Sequence, residues 1–262
     1  METQNYQFSY IIAYKHTQDR LPLLRKTIAW LHQIKGAEII IVEQDKIQKL
    51  EETDHRARHY IFLKNEGQFE KTWAFNVGAK YATTNTLVFG DADLIMNTTE
   101  FQKSLQEFKT KNYDVLSPHS QVLDLTAQEN NLPLNKLYEI KRQGRKTELL
   151  PGNTTHQNVS LCGGITIWKR EALDKVNSWP EEFIGWGCED NAQSEKVLKL
   201  GLKNKTMDYK AYHLYHKRVA PNENQYLRNL NLLKQVQGMT DQQMLQWINQ
   251  KRGKIGHLNK YA

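Results

Sequence analysis

The sequence predicts an α/β fold in which a mostly parallel central sheet lies between layers of helices. Short apolar runs alternate along the chain with segments of helical periodicity, a pattern typical of strand–helix–strand units. The length agrees with this, because 262 residues with 39% hydrophobic side chains can bury one sizeable core. We therefore expect one main domain, residues 1–221, and a basic helical C-terminal extension, residues 222–262, packed on it.

The first eighty residues alternate between predicted strands and predicted helices. Buried strands are predicted at residues 8–13, 38–42 and 59–63, and helices at residues 19–36 and 69–81. Polar residues follow the first two strands directly, at 14–17 and 43–45. Ligands bind at the carboxyl edge of an open α/β sheet, so Glu43 is a candidate for contact with a bound nucleotide.

A pair of carboxylates marks the end of the next predicted strand. Residues 86–90 form a short β-prone run in which Gly90 permits close backbone approach, and Asp91 and Asp93 follow. An Asp-x-Asp pair at such an edge offers hard oxygen ligands for Mn²⁺ or Mg²⁺, and a diphosphate can complete the coordination. The alternative is that the two acids cap the next helix or solvate a turn.

The middle of the chain combines predicted regular structure with a long polar stretch. A helix is predicted at residues 98–109, and strands at 113–117 and 161–168. Residues 118–159 show no clear period, and stretches of that length are usually functional or disordered. We expect a mobile loop beside the site there.

A loop with two glycines precedes a second pair of acids. Gly185 and Gly187 permit a tight turn around Trp186, whose flat apolar side chain can stack on a sugar. Glu189 and Asp190 then begin a predicted helix, where acids have the simpler role of stabilising the helix dipole. Beside a metal site, one of them is suited to accept a proton from an attacking hydroxyl.

Two histidines follow a strand predicted around residues 205–209. His213 or His216 can complete a metal site begun by the Asp-x-Asp pair, since imidazole and carboxylate together suit Mn²⁺-like ions. The alternative for an exposed histidine is that it binds nothing.

Positive charge is concentrated in the last quarter of the chain. The net charge is +7, and residues 203–262 hold eleven Lys or Arg against three acids, a net +8. Such a surface suits an anionic partner, which could be substrate phosphates, a membrane surface or a nucleic acid; a solvated helix face is the alternative. We expect outward-facing cations that bind an anionic acceptor at Lys251, Arg252, Lys254 and Lys260.

Several common site types are missing from the sequence. It contains neither G-x-G-x-x-G nor G-x-x-x-x-G-K-[ST], so phosphate binding would depend on a metal and side chains. No apolar run of about 20 residues and no signal peptide are apparent. Cys162 and Cys188 are too far apart in sequence for a Cys-x-x-Cys pair, and the resulting expectation is a cytoplasmic protein with reduced cysteines.

Together these segments resemble the GT-A fold glycosyltransferases, in particular the β-1,4-galactosyltransferase and chondroitin-polymerase type. The matching pieces lie in the family's order at residues 69–78, 89–95, 162–164 and 185–190, and at His213 with Pro221 and Asn222. Two departures stand out. The family often has Pro-Tyr/Phe-Arg-x-Arg after the first strand, where residues 13–17 read Ala-Tyr-Lys-His-Thr, and a third acid where this chain has Asn191.

The resemblance implies a Rossmann-like GT-A domain and a role for each matched residue. Contacts with the nucleotide donor are implied for Tyr14, Lys15, Lys71, Asp91 and Asp93. Binding of Mn²⁺ or Mg²⁺ is implied for Asp93 with His213 or His216. Sugar contacts are implied for Gly164, Trp186 and Glu189, and the role of general base for Asp190.

The function expected on these grounds is inverting transfer from a UDP-sugar to an acceptor hydroxyl, whose proton Asp190 removes. A sugar-phosphate nucleotidyltransferase is one alternative, although it would usually show a Gly-rich loop with Arg or Lys after the first strand. A non-catalytic module that binds glycans or nucleic acid is another. The acceptor stays open between a polysaccharide, a lipid-linked glycan, a protein and modified DNA, as do the donor sugar and the oligomeric state.

Overall fold

A computed structural model of the chain describes residues 5–55, 57–147, 161, 164–218, 220 and 222–261. Within these residues the chain forms two sheets with helices packed around them. Three residues matched in the family pattern, Cys162, Gly163 and Pro221, lie outside the described part, as do residues 148–160.

The larger sheet confirms the predicted, mostly parallel architecture. Its strands are β1 (Phe8–Tyr14), β2 (Ala37–Asp45), β3 (His59–Lys64), β4 (Thr86–Asp91), β6 (Val115–Ser117), β9 (Ile165–Lys169) and β10 (Asn204–Thr206). They lie in the order β10–β6–β9–β4–β1–β2–β3, and only β9 runs antiparallel to its neighbours. Tyr14 pairs with Glu43 and Ala13 with Asp91, so three polar strand ends meet at one edge of the sheet.

A smaller sheet, which the sequence analysis does not predict, follows the Asp-x-Asp pair. Its strands are β5 (Leu94–Met96), β7 (Gln121–Asp124), β8 (Arg145–Lys146) and β11 (Lys210–His213), in the order β5–β11–β7–β8. His213 pairs with Leu94 and with Asp124. This pairing places β11 beside Leu94, the residue that follows Asp93.

Two predictions for this region are wrong. Residues 118–147, predicted as part of a mobile loop, contain β7, β8, the 3₁₀ turn Glu129–Asn131 and the short helix α5 (Leu134–Leu137). Residues 205–209 do not form one strand, because β10 ends at Thr206 and β11 begins only at Lys210. Strands of two to four residues are too short to show a period in the sequence, and pairing with distant strands stabilises them instead.

The helices are α1 (Leu21–Leu31), α2 (Glu52–His55), α3 (Lys71–Tyr81), α4 (Thr98–Thr110), α5, α6 (Arg170–Lys175), α7 (Glu189–Lys199), α8 (Glu223–Gly238) and α9 (Asp241–Asn249). Helix α3 begins at Lys71, two residues after the predicted start. The predicted C-terminal helices are confirmed as α8 and α9, which begin with the side-chain caps of Asn222 and Thr240. No described helix is long and apolar enough to cross a membrane.

Alternate residues of the larger sheet point into two apolar layers. In β1, Tyr10 and Ile12 pack with residues of α1 and α4, whereas Ile11 and Ala13 pack with residues of α3 and α6. A third cluster joins α7 to α8 and α9. Burying each large aliphatic side chain contributes about 1.5–3 kcal/mol to the free energy of folding. The buried side chains of this cluster therefore attach α8 and α9 to α7.

Candidate active site

Four charged side chains converge at the carboxyl edge of the larger sheet. Asp91 ends β4, Lys71 begins α3, and Glu189 and Asp190 begin α7. The Nζ atom of Lys71 lies 2.8 Å from a carboxylate oxygen of Glu189, 3.5 Å from one of Asp190 and 3.8 Å from one of Asp91. One lysine therefore holds together carboxylates from two separate elements, and we call these four residues the Lys71 cluster.

Burial shifts the pKa values within the Lys71 cluster. It raises the pKa of Asp190 to about 7, a rise that Lys71 opposes and that Glu189 and Asp91 increase. It also raises the pKa of Asp91. Burial alone would lower the pKa of Lys71, but attraction to the three acids raises it well above its usual value. At neutral pH the lysine is charged, and Asp190 can both release and accept a proton.

A second group of side chains lies on the other side of Asp91. Asp93 is buried, and its carboxylate oxygens lie 3.8 Å from Nε2 of His213 and 3.4 Å from Nε2 of His216. One ligand atom from each of the three residues lies within 4.8 Å of the others. A carboxylate and two imidazoles at this spacing can share one divalent ion, and their donor atoms suit Mn²⁺. We call them the Asp93 triad.

The orientation of His213 is set by an acid that the sequence analysis does not single out. Nδ1 of His213 lies 2.9 Å from Oδ1 of Asp124, the last residue of β7. This contact leaves Nε2 directed at Asp93, as metal-binding histidines usually have one ring nitrogen held by a carboxylate. Arg145 and Arg218 also contact Asp124, at 3.3 and 2.9 Å. The strand that ends at Asp124 is only four residues long, so no local period in the sequence pointed to this acid.

Arg20 adds positive charge beside the Asp93 triad. Its guanidinium lies 3.7 Å from Oδ2 of Asp93 and 3.5 Å from Nε2 of His216. The residue stands just before α1, inside the helix predicted at residues 19–36, and the sequence analysis does not single it out. A diphosphate near the triad would therefore meet a guanidinium as well as any bound ion.

Of the residues predicted to contact sugars, Gly164 lies directly against Asp91 of the Asp-x-Asp pair. Its φ is +94°, a conformation that residues with a Cβ rarely adopt, and a Cβ there would come within 2.3 Å of Oδ2 of Asp91. Its carbonyl oxygen also accepts a hydrogen bond from the backbone N–H of Asp91. Only glycine fits this contact between the start of β9 and the end of β4.

Trp186 lies in a loop whose backbone is unusual on both sides. Gly185, Gly187 and Cys188 have φ values of +73°, +98° and +76°. The tryptophan is 67% exposed, the highest value for a large apolar side chain among the described residues. The loop thus presents an indole to solvent three residues before Glu189, and its contact with a sugar stays a prediction.

The predicted nucleotide contacts at the end of β1 differ in accessibility. Tyr14 is buried, and its hydroxyl oxygen lies 3.4 Å from Nδ1 of His16. Lys15 is half-buried, and its Nζ lies 3.5 Å from the carbonyl oxygen of Gly67. Lys15 is therefore accessible to a ligand, whereas the side chain of Tyr14 is not.

Glu43, at the end of β2, is buried and fully engaged with the protein. Its carboxylate accepts hydrogen bonds from the backbone N–H groups of residues 49 and 50 and from the hydroxyl of Tyr60. These contacts fix the loop after β2, so Glu43 shapes the edge of the site.

Of the four C-terminal cations predicted to face outward, two are instead paired with acids of the body. Lys251 forms an ion pair with Glu182, and Lys260 lies 2.6 Å from a carboxylate oxygen of Glu70. Both lysines also lie over aromatic rings, which partly cover them. The prediction is wrong for these two residues because acids of the body attract and neutralise them. The other two, Arg252 and Lys254, are exposed as predicted.

Comparison with protein families identifies two matches. The model described as glycosyl transferase family 2 matches residues 10–176, which include Asp91 and Asp93. The model described as the N-terminal domain of galactosyltransferase matches residues 152–217, which include Asp190 and both histidines of the triad. No curated protein sequence matches the chain.

Solved structures share the fold at low sequence identity. GalNAc-T7 with UDP, GalNAc and Mn²⁺ superposes with a TM-score of 0.56 at 15% identity, over 88% of this chain and 48% of that one. The Pyrobaculum calidifontis mannosyltransferase PcManGT with GDP-Man and Mn²⁺ has 0.53 at 15%, over 82% and 59%. S. aureus TarS 1-349 with UDP-GlcNAc has 0.58 at 14%, over 87% and 66%. The chain thus spans between about half and two thirds of these structures.

Proposed function

The chain belongs to glycosyl transferase family 2, and on this basis we propose that it is a metal-dependent, inverting enzyme that moves a sugar from a UDP-sugar to an acceptor hydroxyl. The observation that carries the proposal is the adjacency of the Asp93 triad and the Lys71 cluster. Asp93 belongs to the first and Asp91, two residues earlier, to the second. A site for a diphosphate and a site for a base therefore share one sheet edge.

The triad supports binding of Mn²⁺, with Mg²⁺ as the alternative, because two imidazoles favour the softer ion. A bound ion would supply positive charge for the diphosphate of the leaving UDP. The chain's own contribution is to hold the three ligands close together, through β5, β11 and the contact of His213 with Asp124. Arg20 adds fixed positive charge beside the triad.

Asp190 is the residue proposed as the general base. A carboxylate with a pKa near 7 accepts a proton from an attacking hydroxyl more readily than one with an ordinary pKa. Lys71 contacts this carboxylate and that of Glu189, for which we propose hydrogen bonds with sugar hydroxyls. Inversion requires a single base and no covalent intermediate, which agrees with one acid of the cluster acting on the acceptor.

The test is a screen of UDP-sugars and GDP-mannose with Mn²⁺, Mg²⁺ or chelator, in which release of nucleoside diphosphate is measured. A glycosyltransferase releases the diphosphate in a metal-dependent reaction, slowly to water and faster with an acceptor. A nucleotidyltransferase would instead form a nucleotide-sugar from a sugar phosphate and release pyrophosphate. A binding module would do neither, and either result would contradict the proposal.

Asp93→Ala is the variant that tests the metal site within this screen. We expect it to abolish Mn²⁺-dependent binding of UDP measured by calorimetry, since the diphosphate charge would be uncompensated. Asp174→Ala, which removes an exposed acid, is the matched control. His213→Ala and His216→Ala, made separately, decide whether one or both histidines contribute to binding of the metal.

Two further expectations remain predictions. They are the division into two parts at residue 221 and the cytoplasmic location.

A further inference from the structure

Two arginines meet at one carboxylate of the smaller sheet. Nε of Arg145, in β8, lies 3.3 Å from Oδ2 of Asp124, and a terminal guanidinium nitrogen of Arg218 lies 2.9 Å from Oδ1. Strand pairing places Arg145 there, because it pairs with Val122, two residues before Asp124 on the same face of β7. His213, in the strand on the other side of β7, contacts the same carboxylate at 2.9 Å. Asp124 therefore joins Arg145 and Arg218, which we call the arginine pair, to a histidine of the Asp93 triad.

Both guanidiniums keep hydrogen-bond donors that the protein does not use. Arg145 uses Nε for Asp124 and Arg218 uses one terminal nitrogen, and the remaining N–H groups have no partner within the described part of the chain. The two side chains are 55% and 68% exposed. Ion pairs this exposed contribute little to stability, so support of Asp124 does not account for two arginines. Two guanidiniums around one carboxylate also leave a positive charge uncompensated, which suits a second oxyanion bound in bidentate fashion.

The surroundings of the arginine pair are basic. Residues 136–146, which contain β8, hold five Lys or Arg against one acid, and residues 203–218, which contain β11, also hold five against one. The two segments touch, since Nζ of Lys210 donates to the carbonyl oxygen of Arg142 at 2.7 Å. Half of the net +8 counted for residues 203–262 thus lies before the C-terminal helices. Its field attracts anions toward the arginine pair.

The arginine pair lies outside the place where the donor diphosphate would coordinate the metal. Nδ1 of His213 faces Asp124, whereas Nε2 of the same ring lies 3.8 Å from a carboxylate oxygen of Asp93. The imidazole and Asp124 therefore stand between the guanidiniums and an ion held by the triad. A diphosphate on that ion would meet Arg20, which lies 3.7 Å from Asp93. An anion on the arginine pair is consequently a second anion.

We propose that the arginine pair binds an oxyanion, a phosphate or carboxylate group that does not belong to the donor, and that this site is coupled to the metal site. A bound oxyanion draws guanidinium N–H groups away from Asp124, so that the carboxylate accepts more strongly from Nδ1 of His213 and makes Nε2 a stronger metal ligand. The negative charge of the oxyanion also favours a nearby cation. Linkage requires that the metal raises the affinity for the oxyanion by the same factor. The coupling rests on the proposed metal site, whereas the oxyanion site does not.

Proton–nitrogen NMR of the intact, metal-free protein tests the oxyanion site. The Nε–H signals of the arginine pair are assigned by their loss in Arg145→Gln and Arg218→Gln, and the probes are methyl phosphate and trigalacturonate, a saccharide with three carboxylates. At least one probe should shift both signals and saturate. In the double variant the affinity for that probe should fall at least about tenfold, because charge-assisted hydrogen bonds are lost.

The matched control removes the same charge elsewhere. Arg252→Gln combined with Lys254→Gln changes two exposed cations of the C-terminal segment, and its affinity for the probe should stay within about twofold of wild type because salt screens distant charges. A loss as large as in the double variant of the arginine pair would show that net charge holds the anion, and would overturn the site. Failure of both probes to shift the signals overturns it as well. A shift by methyl phosphate alone assigns the site to phosphate groups, and a shift by trigalacturonate alone assigns it to carboxylates.

Electron paramagnetic resonance of free Mn²⁺, corrected for binding to the probe itself, tests the coupling. With the probe at saturation, wild type should bind Mn²⁺ about five- to tenfold more tightly, and the double variant should show no such gain. Equal affinity of wild type for Mn²⁺ with and without the probe overturns the coupling. If Mn²⁺ does not bind at all, the metal site of the proposed function fails, and the oxyanion site stands on the metal-free measurement. If Mn²⁺ binds and neither probe does, the oxyanion site fails and the proposed function stands.

Discussion

Lys71 is the residue on which the acids of the candidate site depend. Three carboxylates brought together at a buried edge would repel one another and take up protons, and a central ammonium opposes both effects. A lysine suits this place because its charge is compact and its three N–H donors can point to three different partners. The proton affinity of Asp190 is therefore a property of the whole cluster rather than of one side chain.

Asp190 gives the prediction for pH dependence. If it is the base, it acts in its deprotonated form, so kcat/KM should fall as the pH drops below about 7, close to tenfold per pH unit. Asp190→Asn should lower kcat by about 10² to 10⁴ and leave donor binding intact, because proton removal matters only in the transition state. Steady-state kinetics from pH 5 to 9 and calorimetry with UDP measure both. Near-normal turnover of Asp190→Asn would show that Asp190 is not the general base.

Asp124 gives the prediction for the metal site. Asp124→Leu should weaken binding of Mn²⁺ about 10- to 100-fold, since His213 loses the carboxylate that orients its ring. Asp124→Asn should do so less, because an amide oxygen can still accept a hydrogen bond from Nδ1. Electron paramagnetic resonance of free Mn²⁺ measures the affinity without turnover. Equal affinity in wild type and Asp124→Leu would show that His213 needs no such support.

At the scale of elements, α7 joins the chemistry to the packing. Its first turn carries Glu189 and Asp190, and its later turns pack against α8 and α9. Lys196 lies in this interface, 2% exposed, with Nζ 2.8 Å from the carbonyl oxygen of Ser178 and over the ring of Trp247. Burial lowers the pKa of Lys196 to about 7. The folded state is therefore more stable when Lys196 is neutral than when it is charged.

Lys196 makes the stability of the protein depend on pH in a defined direction. In the unfolded chain its pKa is about 10.4, so between pH 7 and 10 the unfolded state binds more protons and stability rises with pH. Below pH 7 the full cost of the buried charge is present. Lys196→Met should flatten this slope by up to about 1.4 kcal/mol per pH unit. Urea unfolding from pH 6 to 10 measures it, with exposed Lys234→Met as control; equal slopes would contradict the prediction.

At the scale of the whole molecule, the C-terminal segment ties α3 to the body. Nε1 of Trp73 donates to the carbonyl oxygen of His257 at 2.7 Å, and Lys260 pairs with Glu70, the residue before α3. The N–H of Gly256 donates to Glu181 at 2.7 Å. Helix α3 begins with Lys71, so this segment supports the element that carries the central cation of the Lys71 cluster.

Removing residues 255–262 should therefore lower stability rather than acceptor affinity. Glu70 would remain buried without its cation, and Trp73 would lose its acceptor. A loss of about 2 kcal/mol would lower Tm by roughly 4–8 °C in a domain of this size. Calorimetry measures it, and the exposed pair Arg252→Ala and Lys254→Ala is the control. An unchanged Tm in the shortened protein would show that residues 255–262 do not contribute to stability.

The sequence by itself determines those strands, helices and site residues that produce a pattern among neighbouring residues. The larger sheet follows from apolar runs and helical periods, and Asp91 and Asp93 follow from their place at a strand end. The candidate acids Glu189 and Asp190 follow from the glycine loop before them. All these signals lie within about ten neighbouring residues, where the chain's own geometry decides the structure.

Only the tertiary structure decided how these pieces complete one another. His213 and Asp124 are 89 residues apart in sequence, Asn229 and Gly187 are 42 apart, and Lys260 and Glu70 are 190 apart. No local period records such pairs, because each forms when sheets and helices pack and a buried polar group requires a partner. For the same reason the charge of residues 203–262 could be counted from the sequence, whereas the ion pairs of Lys251 and Lys260 with acids of the body could not be foreseen.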